Sequence, residues 1–310
     1  MNISKWILVT TGFIIIYVLF VMFSDVAILA EKFQSMNLTY VIIGIGVVFF
    51  SVFLKGLRWF MMLKHLDITI ELKSSMMIYF SGTAFGLTPV TLGEVMKSHY
   101  LKRLVHTPIS TSAPTILIER FYDLFAILLL SFFALFVIGT YNDFIFIGFA
   151  FLAFSLFLIY QKKIFLKLLI KTKPIPILGK ISEKLIPIVD VVFTLTKPKS
   201  MITNLPISII AWLIESTVLY FILLAFDIDL SIITSSFIFV ASTLLGSISF
   251  LPGGIGATEG GLLGLLYLEN ISYTDALGPV LMIRIIVLWM TIIFGLIINR
   301  ITENTILKNK

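Results

Sequence analysis

Phe250-Leu251-Pro252-Gly253-Gly254-Ile255-Gly256-Ala257-Thr258-Glu259-Gly260-Gly261 interrupts an apolar stretch with a helix breaker, five glycines and a carboxylate. In lipid, backbone groups freed by Pro and Gly find nothing to replace their hydrogen bonds, so such a break must be buried in protein or line a polar cavity. Its surroundings place it in a membrane. The chain has 310 residues, 59% hydrophobic and 13% charged, with a mean hydropathy of +1.07. A transmembrane helix needs about 20 mostly apolar residues. Runs of that size recur from end to end, and no polar stretch is long enough for an aqueous catalytic domain. The net charge of +6 does not indicate nucleic acid, because the basic residues lie in loops between apolar runs, where they act as orientation signals. With no cysteine, disulfides, thiol catalysis and thiolate metal sites are excluded.

Working outward, the sequence predicts a polytopic helical bundle. The first span, about Lys5 to Phe23, lacks a small-residue cleavage site and reads as uncleaved. The second runs from Leu38 to about Leu57, the third from Ala113 to Ile138, and Phe144 to Tyr160 returns. Residues 161–201 form a lysine-rich cytoplasmic loop with a short surface helix around Ile181 to Thr196. The spans Ile202 to Phe226, Ile232 to Phe250 and Leu277 to Asn299 follow. Basic residues flank the 75–92 stretch on both sides, so it should enter and return rather than cross. Gly82-Thr83-Ala84-Phe85-Gly86-Leu87-Thr88-Pro89 is the break that permits this. The segment 250–268 is the second such element. Of 23 Lys and Arg, only Lys32 falls in a predicted outer loop, which puts both termini in the cytoplasm.

The two breaks share a pattern. Pro89 is followed by Gly93-Glu94, and Pro252 by Gly256 and Glu259; Arg120 lies 31 residues after Pro89, and Arg284 lies 32 after Pro252. Paired broken segments entered from opposite sides are the mark of an inverted-repeat transporter with a midplane site.

Ionisable groups inside the membrane each cost about 3 kcal/mol on insertion scales unless paired or hydrated, and so mark candidate sites. They are Glu94, Glu119, Arg120, Asp123, Glu215, Glu259 and Arg284. Glu119 and Asp123, four apart, share a helix face, and Arg120 and Asp123 are three apart, so they can form one internal cluster. That cluster either ties helices together or marks a pathway. Arg284 needs an acidic partner, Glu215 or Glu259, or a lipid phosphate. Thr91-Leu92-Gly93-Glu94 fits a capping box, and Glu259 stands where a helix should begin; capping and headgroup binding are compatible for both. Arg58-Trp59 reads as an interfacial anchor with a snorkelling arginine, or as a guide for an anionic headgroup. His65, His99 and His106 have no metal-ligand spacing, so no metal site is expected. Asp227-Ile228-Asp229 looks like a glycosyltransferase metal motif without the domain that would use it.

Arg58-Trp59, Thr88-Pro89 to Gly93-Glu94, Glu119-Arg120 with Asp123, Pro252-Gly253-Gly254-Ile255-Gly256 to Glu259-Gly260, and Arg284 to Trp289, in this order, resemble the lysylphosphatidylglycerol synthase transmembrane family. The Pro-Gly-Gly-x-Gly-x-x-Glu-Gly segment is its most specific part. The resemblance implies a flippase-like membrane domain that moves aminoacylated phosphatidylglycerol between leaflets, without the C-terminal domain that makes this lipid. This chain departs from the family at Lys97 and Thr91, where arginines are frequent; lysine binds phosphate as a point charge and loses the bidentate geometry.

The expectation is therefore a single all-α integral membrane domain over 1–310, with seven or eight spans, two re-entrant segments and the pattern of an inverted repeat. It would move an anionic phospholipid or lipid-linked headgroup, of the aminoacylated phosphatidylglycerol or isoprenyl-phosphate sugar type, between the leaflets of the cell membrane. Arg58, Lys97, Arg120 and Arg284 would meet phosphate, and Glu94, Glu119, Asp123, Glu215 and Glu259 would meet amines, hydroxyls or protons around the Pro252, Gly253, Gly254, Gly256 break. No Gly-x-x-x-x-Gly-Lys loop occurs, and no cofactor is expected. Two other readings stand beside this one: an intramembrane enzyme acting on a lipid-linked substrate, and a membrane scaffold partnered with a separate lipid-modifying synthase or glycosyltransferase.

Overall fold

The computed structural model describes residues 26–88, 93–138 and 176–308, with 157, 161, 166, 167, 170 and 171 between them. The first predicted span, the return span Phe144 to Tyr160 apart from Phe157, and Pro89 and Thr91 lie outside the described residues. Every regular element described is helical: α1 (Val26–Ser35), α2 (Leu38–His65), α3 (Leu72–Thr83), α4 (Met96–Val105), α5 (Ile109–Ser112), α6 (Pro114–Ile138), α7 (Pro176–Leu195), α8 (Pro198–Ser216), α9 (Val218–Ala225), α10 (Ile232–Ile248), α11 (Ala257–Leu268), α12 (Tyr273–Arg284) and α13 (Thr291–Lys308). Four helical stretches among the described residues are long and apolar enough to cross a membrane: Leu38–His65, Ile109–Ile138, Pro198–Ala225 and Tyr273–Thr305. The shorter Ile232–Ile248 is also apolar.

Local chemistry sets many of the boundaries. Pro114, Pro176 and Pro198 each occupy the first helical position, where the missing N–H would have no partner in any case. Ser231 and Ser272 cap α10 and α12 by accepting from the N–H of Thr234 and Asp275. Two spans are longer than the sequence predicted. α2 continues past Leu57 to His65, and the last span extends from Tyr273 to Lys308 with a π-helical stretch, Ile285–Met290, inserted after α12. Amphipathic helix ends carry Lys and His, which polarity-based boundaries cut off although the backbone continues.

The chain divides into two compact units. One, called here the Arg58 unit, comprises Phe49–Ile214 and Thr291–Lys310; the other, the Arg284 unit, comprises Met1–Val48 and Glu215–Met290. In the Arg58 unit, α3 packs along α13 and against α4, and α7 packs on α6. Gly295 lets α13 approach the end of α3 so closely that a Cβ there would collide with Thr83 and the Ala84 backbone. α7 begins upstream of the predicted surface helix, and its C-terminal end is not on the surface: Leu195 is buried against Met62, Ile118 and Tyr122, and its carbonyl accepts from the Tyr122 hydroxyl at 2.7 Å. In the Arg284 unit, α10 and α11 form an antiparallel hairpin, with Gly246 against Thr258 and Gly261 against Ser242. Small residues at such contacts let helix backbones approach where lipid supplies no hydrophobic drive.

Many large apolar side chains are exposed, among them Ile42, Phe136, Ile202 and Tyr267, whereas Arg58, Lys97, Glu119 and Glu259 are all at most 1% exposed. Buried, paired charges beneath an apolar exterior are what a lipid solvent selects along a membrane span. α3 and α11 have 12 residues each, about 18 Å at a 1.5 Å rise, well short of a hydrocarbon core about 30 Å thick. α3 is followed by turns at 84–87, and α11 is preceded by an interruption of the α-helix at 249–256.

Candidate functional site

Each unit carries an ion centre beside its break. In the Arg58 unit, α2 supplies Arg58, the start of α4 supplies Lys97, α6 supplies Glu119, Arg120 and Asp123, and α8 supplies Ser208 and Trp212. Arg58 Nη1 donates to Asp123 Oδ1 at 2.6 Å and to Ser208 Oγ at 2.7 Å. The Trp212 indole donates to the same carboxylate oxygen at 3.0 Å. Lys97 Nζ bridges Glu94 Oε2 at 2.8 Å and Glu119 Oε2 at 2.6 Å. Arg120 closes the chain, 3.3 Å from Glu94 and 3.6 Å from Asp123. Its side chain is 41% exposed, whereas that of Arg58 is fully buried. Lys55 lies over the Trp212 ring, 3.7 Å from its centroid. Such a network is costly to desolvate, and its members must satisfy one another to persist inside the fold.

That satisfaction is incomplete. Arg58 Nε and Nη2, Arg120 Nε and Glu119 Oε1 are buried with no hydrogen-bond partner among the described residues. Buried polar groups are overwhelmingly paired in folded proteins, so three unpaired guanidinium nitrogens in one cluster need an explanation.

The second centre is simpler. Arg284 closes α12 at the point where the helix widens into the π-helical turn, a local geometry frequent at functional sites. Its Nε donates to Glu259 Oε1 at 2.9 Å and its Nη2 to the Gly253 carbonyl at 2.7 Å. The other Glu259 oxygen accepts from the Gly256 N–H at 2.9 Å. Between Pro252 and α11 the backbone turns left-handed at Gly253, Gly254 and Gly256, with φ of 61°, 65° and 82°. Only glycine enters that region without a Cβ penalty. Phe250 enters it as well, at φ 55°, which is strained for a bulky residue.

Several sequence expectations change. Arg58 is not a snorkelling anchor: it is fully buried and paired with Asp123, and Trp59 is buried beside it with its indole directed to Thr115. Hydropathy does not report which way a residue at a helix end faces. Glu94 directs its carboxylate to Lys97 and Arg120, and the hydroxyl that accepts from the Gly93 N–H is that of Thr88, at 2.7 Å. Thr88 thus holds the backbone just before α4, while the capping box predicted for Thr91 lies outside the described residues. Glu259 does cap its helix and also pairs with Arg284, as one of the two acids considered as its partners. Glu215 is buried near the end of α8 and belongs to the Arg284 unit. Pro252, Gly253, Gly254 and Gly256 form the break around which the second centre is built.

Ser208 and Trp212 escape the sequence reading. Ser200, Asn204, Ser208 and Trp212 recur every four residues along α8, and all four are buried. A polar stripe at helical spacing in an apolar span is the signal that could have found them. Among the described residues, no group of three or more His, Cys, Asp or Glu could hold a metal.

A family model, the lysylphosphatidylglycerol synthase TM region, matches residues 8–295, which include both centres. This chain belongs to the lysylphosphatidylglycerol synthase transmembrane family. One similar member is a UPF0104 membrane protein of Methanocaldococcus jannaschii, 30% identical over 238 residues that cover 72% of this chain and 95% of that protein. A UPF0104 membrane protein of Methanothermobacter thermautotrophicus is 30% identical over 95 residues, 31% of this chain and 28% of that protein. A phosphatidylglycerol lysyltransferase of Staphylococcus epidermidis is 41% identical over 69 residues, 22% of this chain and 8% of the lysyltransferase. The family relation thus rests on the membrane region.

Proposed function

We propose that this family member moves a lipid with an anionic headgroup, a phospholipid or an isoprenyl-phosphate sugar, between membrane leaflets without covalent chemistry. The observation that carries this reading is the Arg58 centre: a charged network inside apolar helices that leaves guanidinium N–H groups without a partner among the described residues, beside the half-exposed Arg120. Planar guanidinium forks match phosphate geometry, and intramembrane charges of this kind lie along substrate paths. In this reading the tails stay in the bilayer while the headgroup meets Arg120 and Arg58, with Lys97, Glu94, Glu119 and Asp123 shaping the site. Glu259 and Arg284 hold the second break, and Glu215 is a proton carrier. The same reading has seven or eight spans in the cell membrane, both termini cytoplasmic, two re-entrant segments related as an inverted repeat, and membrane lipids as partners. The half-length helices beside each break support it.

The test is leaflet exchange of fluorescent phosphatidylglycerol, lysyl-phosphatidylglycerol and a short isoprenyl-phosphate sugar in proteoliposomes, with Arg120→Ala, Glu259→Gln and Arg284→Ala alongside wild type. Protein-dependent exchange of at least one lipid, lost in Arg120→Ala, is expected. Absence of exchange of all three by folded wild-type protein would overturn the reading.

A further inference from the structure

The Arg58 centre contains a ready-made receptor for a primary ammonium, and the chain fills it itself. Lys97 Nζ lies between the carboxylates of Glu94 and Glu119, at 2.8 and 2.6 Å. It also lies 5.0 Å from the centroid of the Tyr79 ring and 5.6 Å from that of Trp59. Two carboxylates and two aromatic faces are the groups that recognise an alkylammonium ion. The Lys97 side chain is 2% exposed. Its methylenes cross Gly82 so closely that a Cβ there would stand 2.8 Å from them, so backbone as well as charge is shaped around this side chain.

The unpaired atoms have the opposite character. Arg58 Nε and Nη2 and Arg120 Nε are donors without acceptors, and Glu119 Oε1 is the one acceptor in the network left without a donor among the described residues. Arg58, Lys97 and Arg120 balance Glu94, Glu119 and Asp123, and Lys55 over Trp212 adds one further positive charge. A ligand that completes the set accepts from several guanidinium N–H groups, donates once, and is negatively charged. A phosphate with a neighbouring hydroxyl has this inventory.

We propose that Lys97 occupies the ammonium cage as a tethered internal ligand, so that this protein recognises a hydroxyl-bearing phosphate headgroup and discriminates against headgroups that carry an amine. The inference rests on the lipid-handling reading above and narrows it. An incoming amine must displace a cation held on the same chain, at the high effective concentration that tethering gives, and must enter a centre whose charge balance already favours an anion. Glycerol phosphate headgroups and sugar phosphates share the required chemistry.

The test uses soluble headgroups and the full chain in detergent, with the thermal unfolding midpoint measured against concentrations of glycerophosphoglycerol, a hexose 1-phosphate and glycerophosphoethanolamine. Binding to the folded state raises the midpoint. At least one of the hydroxyl-bearing phosphates should reach half of its maximal shift at a concentration about tenfold or more below that of glycerophosphoethanolamine, and which of the two does so identifies the lipid source. Lys97→Met should narrow this gap at least about threefold by vacating the cage, and Lys97→Arg should keep it. If Lys97→Met does not fold, the wild-type ratio decides alone. Equal or stronger stabilisation by the amine, or no shift with either hydroxyl-bearing phosphate, overturns the proposal. Soluble headgroups need no transport, so a failure of leaflet exchange would sink only the function. Exchange indifferent to amines would sink only the discrimination.

Discussion

Glu94 and Glu259 follow breaks of similar sequence, with a proline, then a glycine four residues on, then the acid, yet they are engaged differently. Glu259 accepts from one backbone N–H and one arginine, and that arginine also holds the Gly253 carbonyl, so the centre pins a left-handed turn of backbone. Glu94 accepts from two cations, and its neighbour Gly93 is held by Thr88 instead. One centre therefore fixes the course of the chain, and the other assembles side chains from α2, α4, α6 and α8 into a network with donors unpaired among the described residues. A saturated carboxylate makes a clamp, whereas an incompletely satisfied network is disposed to bind. Under the proposed function, that difference would make the Arg58 unit the seat of the ligand-facing chemistry.

The comparison breaks most readily at the two buried cations. Lys97→Met strands two carboxylates and Arg284→Met strands one; removing one partner of a buried ion pair costs about 3–5 kcal/mol. Equilibrium unfolding in detergent should show the Lys97 variant as the less stable. The reverse order would mean that the clamp, not the network, dominates. Next in size is Trp212→Phe, which takes one donor from Asp123 and keeps the ring under Lys55. A hydrogen bond to a charged group contributes about 1.5–3 kcal/mol, so a loss in that range is expected; an unchanged midpoint would remove Trp212 from the network. Gly256→Ala isolates backbone geometry, because nothing lies within 4 Å of a Cβ there while φ is 82°. A left-handed cost of about 1–2 kcal/mol should appear with the Arg58 centre unaffected. Smallest is Thr88→Val, which removes the acceptor for the Gly93 N–H at a cost of about 1 kcal/mol. If that variant were neutral, the hold of Thr88 on the Gly93 backbone would carry no stability.

Much of the architecture is legible in the amino-acid sequence. Long apolar runs with few charges dictate helices, because backbone in lipid must satisfy itself, and Pro and Gly at 252–256 dictate a break for the same reason. The i, i+3 relation between Arg120 and Asp123 also follows from helical spacing, and the ion pair is present. Glu259 as a helix cap is readable from its position after Thr258, since capping is a local interaction spanning one turn.

What sequence could not decide is which residues distant along the chain meet, and which way they face. Arg58 and Asp123 are 65 residues apart, Lys97 and Glu119 are 22 apart, and Arg284 and Glu259 are 25 apart. A charged side chain at a helix end has the same local signature whether it reaches toward headgroups or turns inward to a partner, and Arg58 turns inward. By itself the sequence determined that this is a helical membrane protein with a broken, acid-bearing segment at 250–261, because hydrogen-bond satisfaction in lipid is a local constraint on the backbone. Only the tertiary structure decided that its charges divide into a backbone clamp and a side-chain network, because the pairing of buried charges depends on which helix faces are brought together.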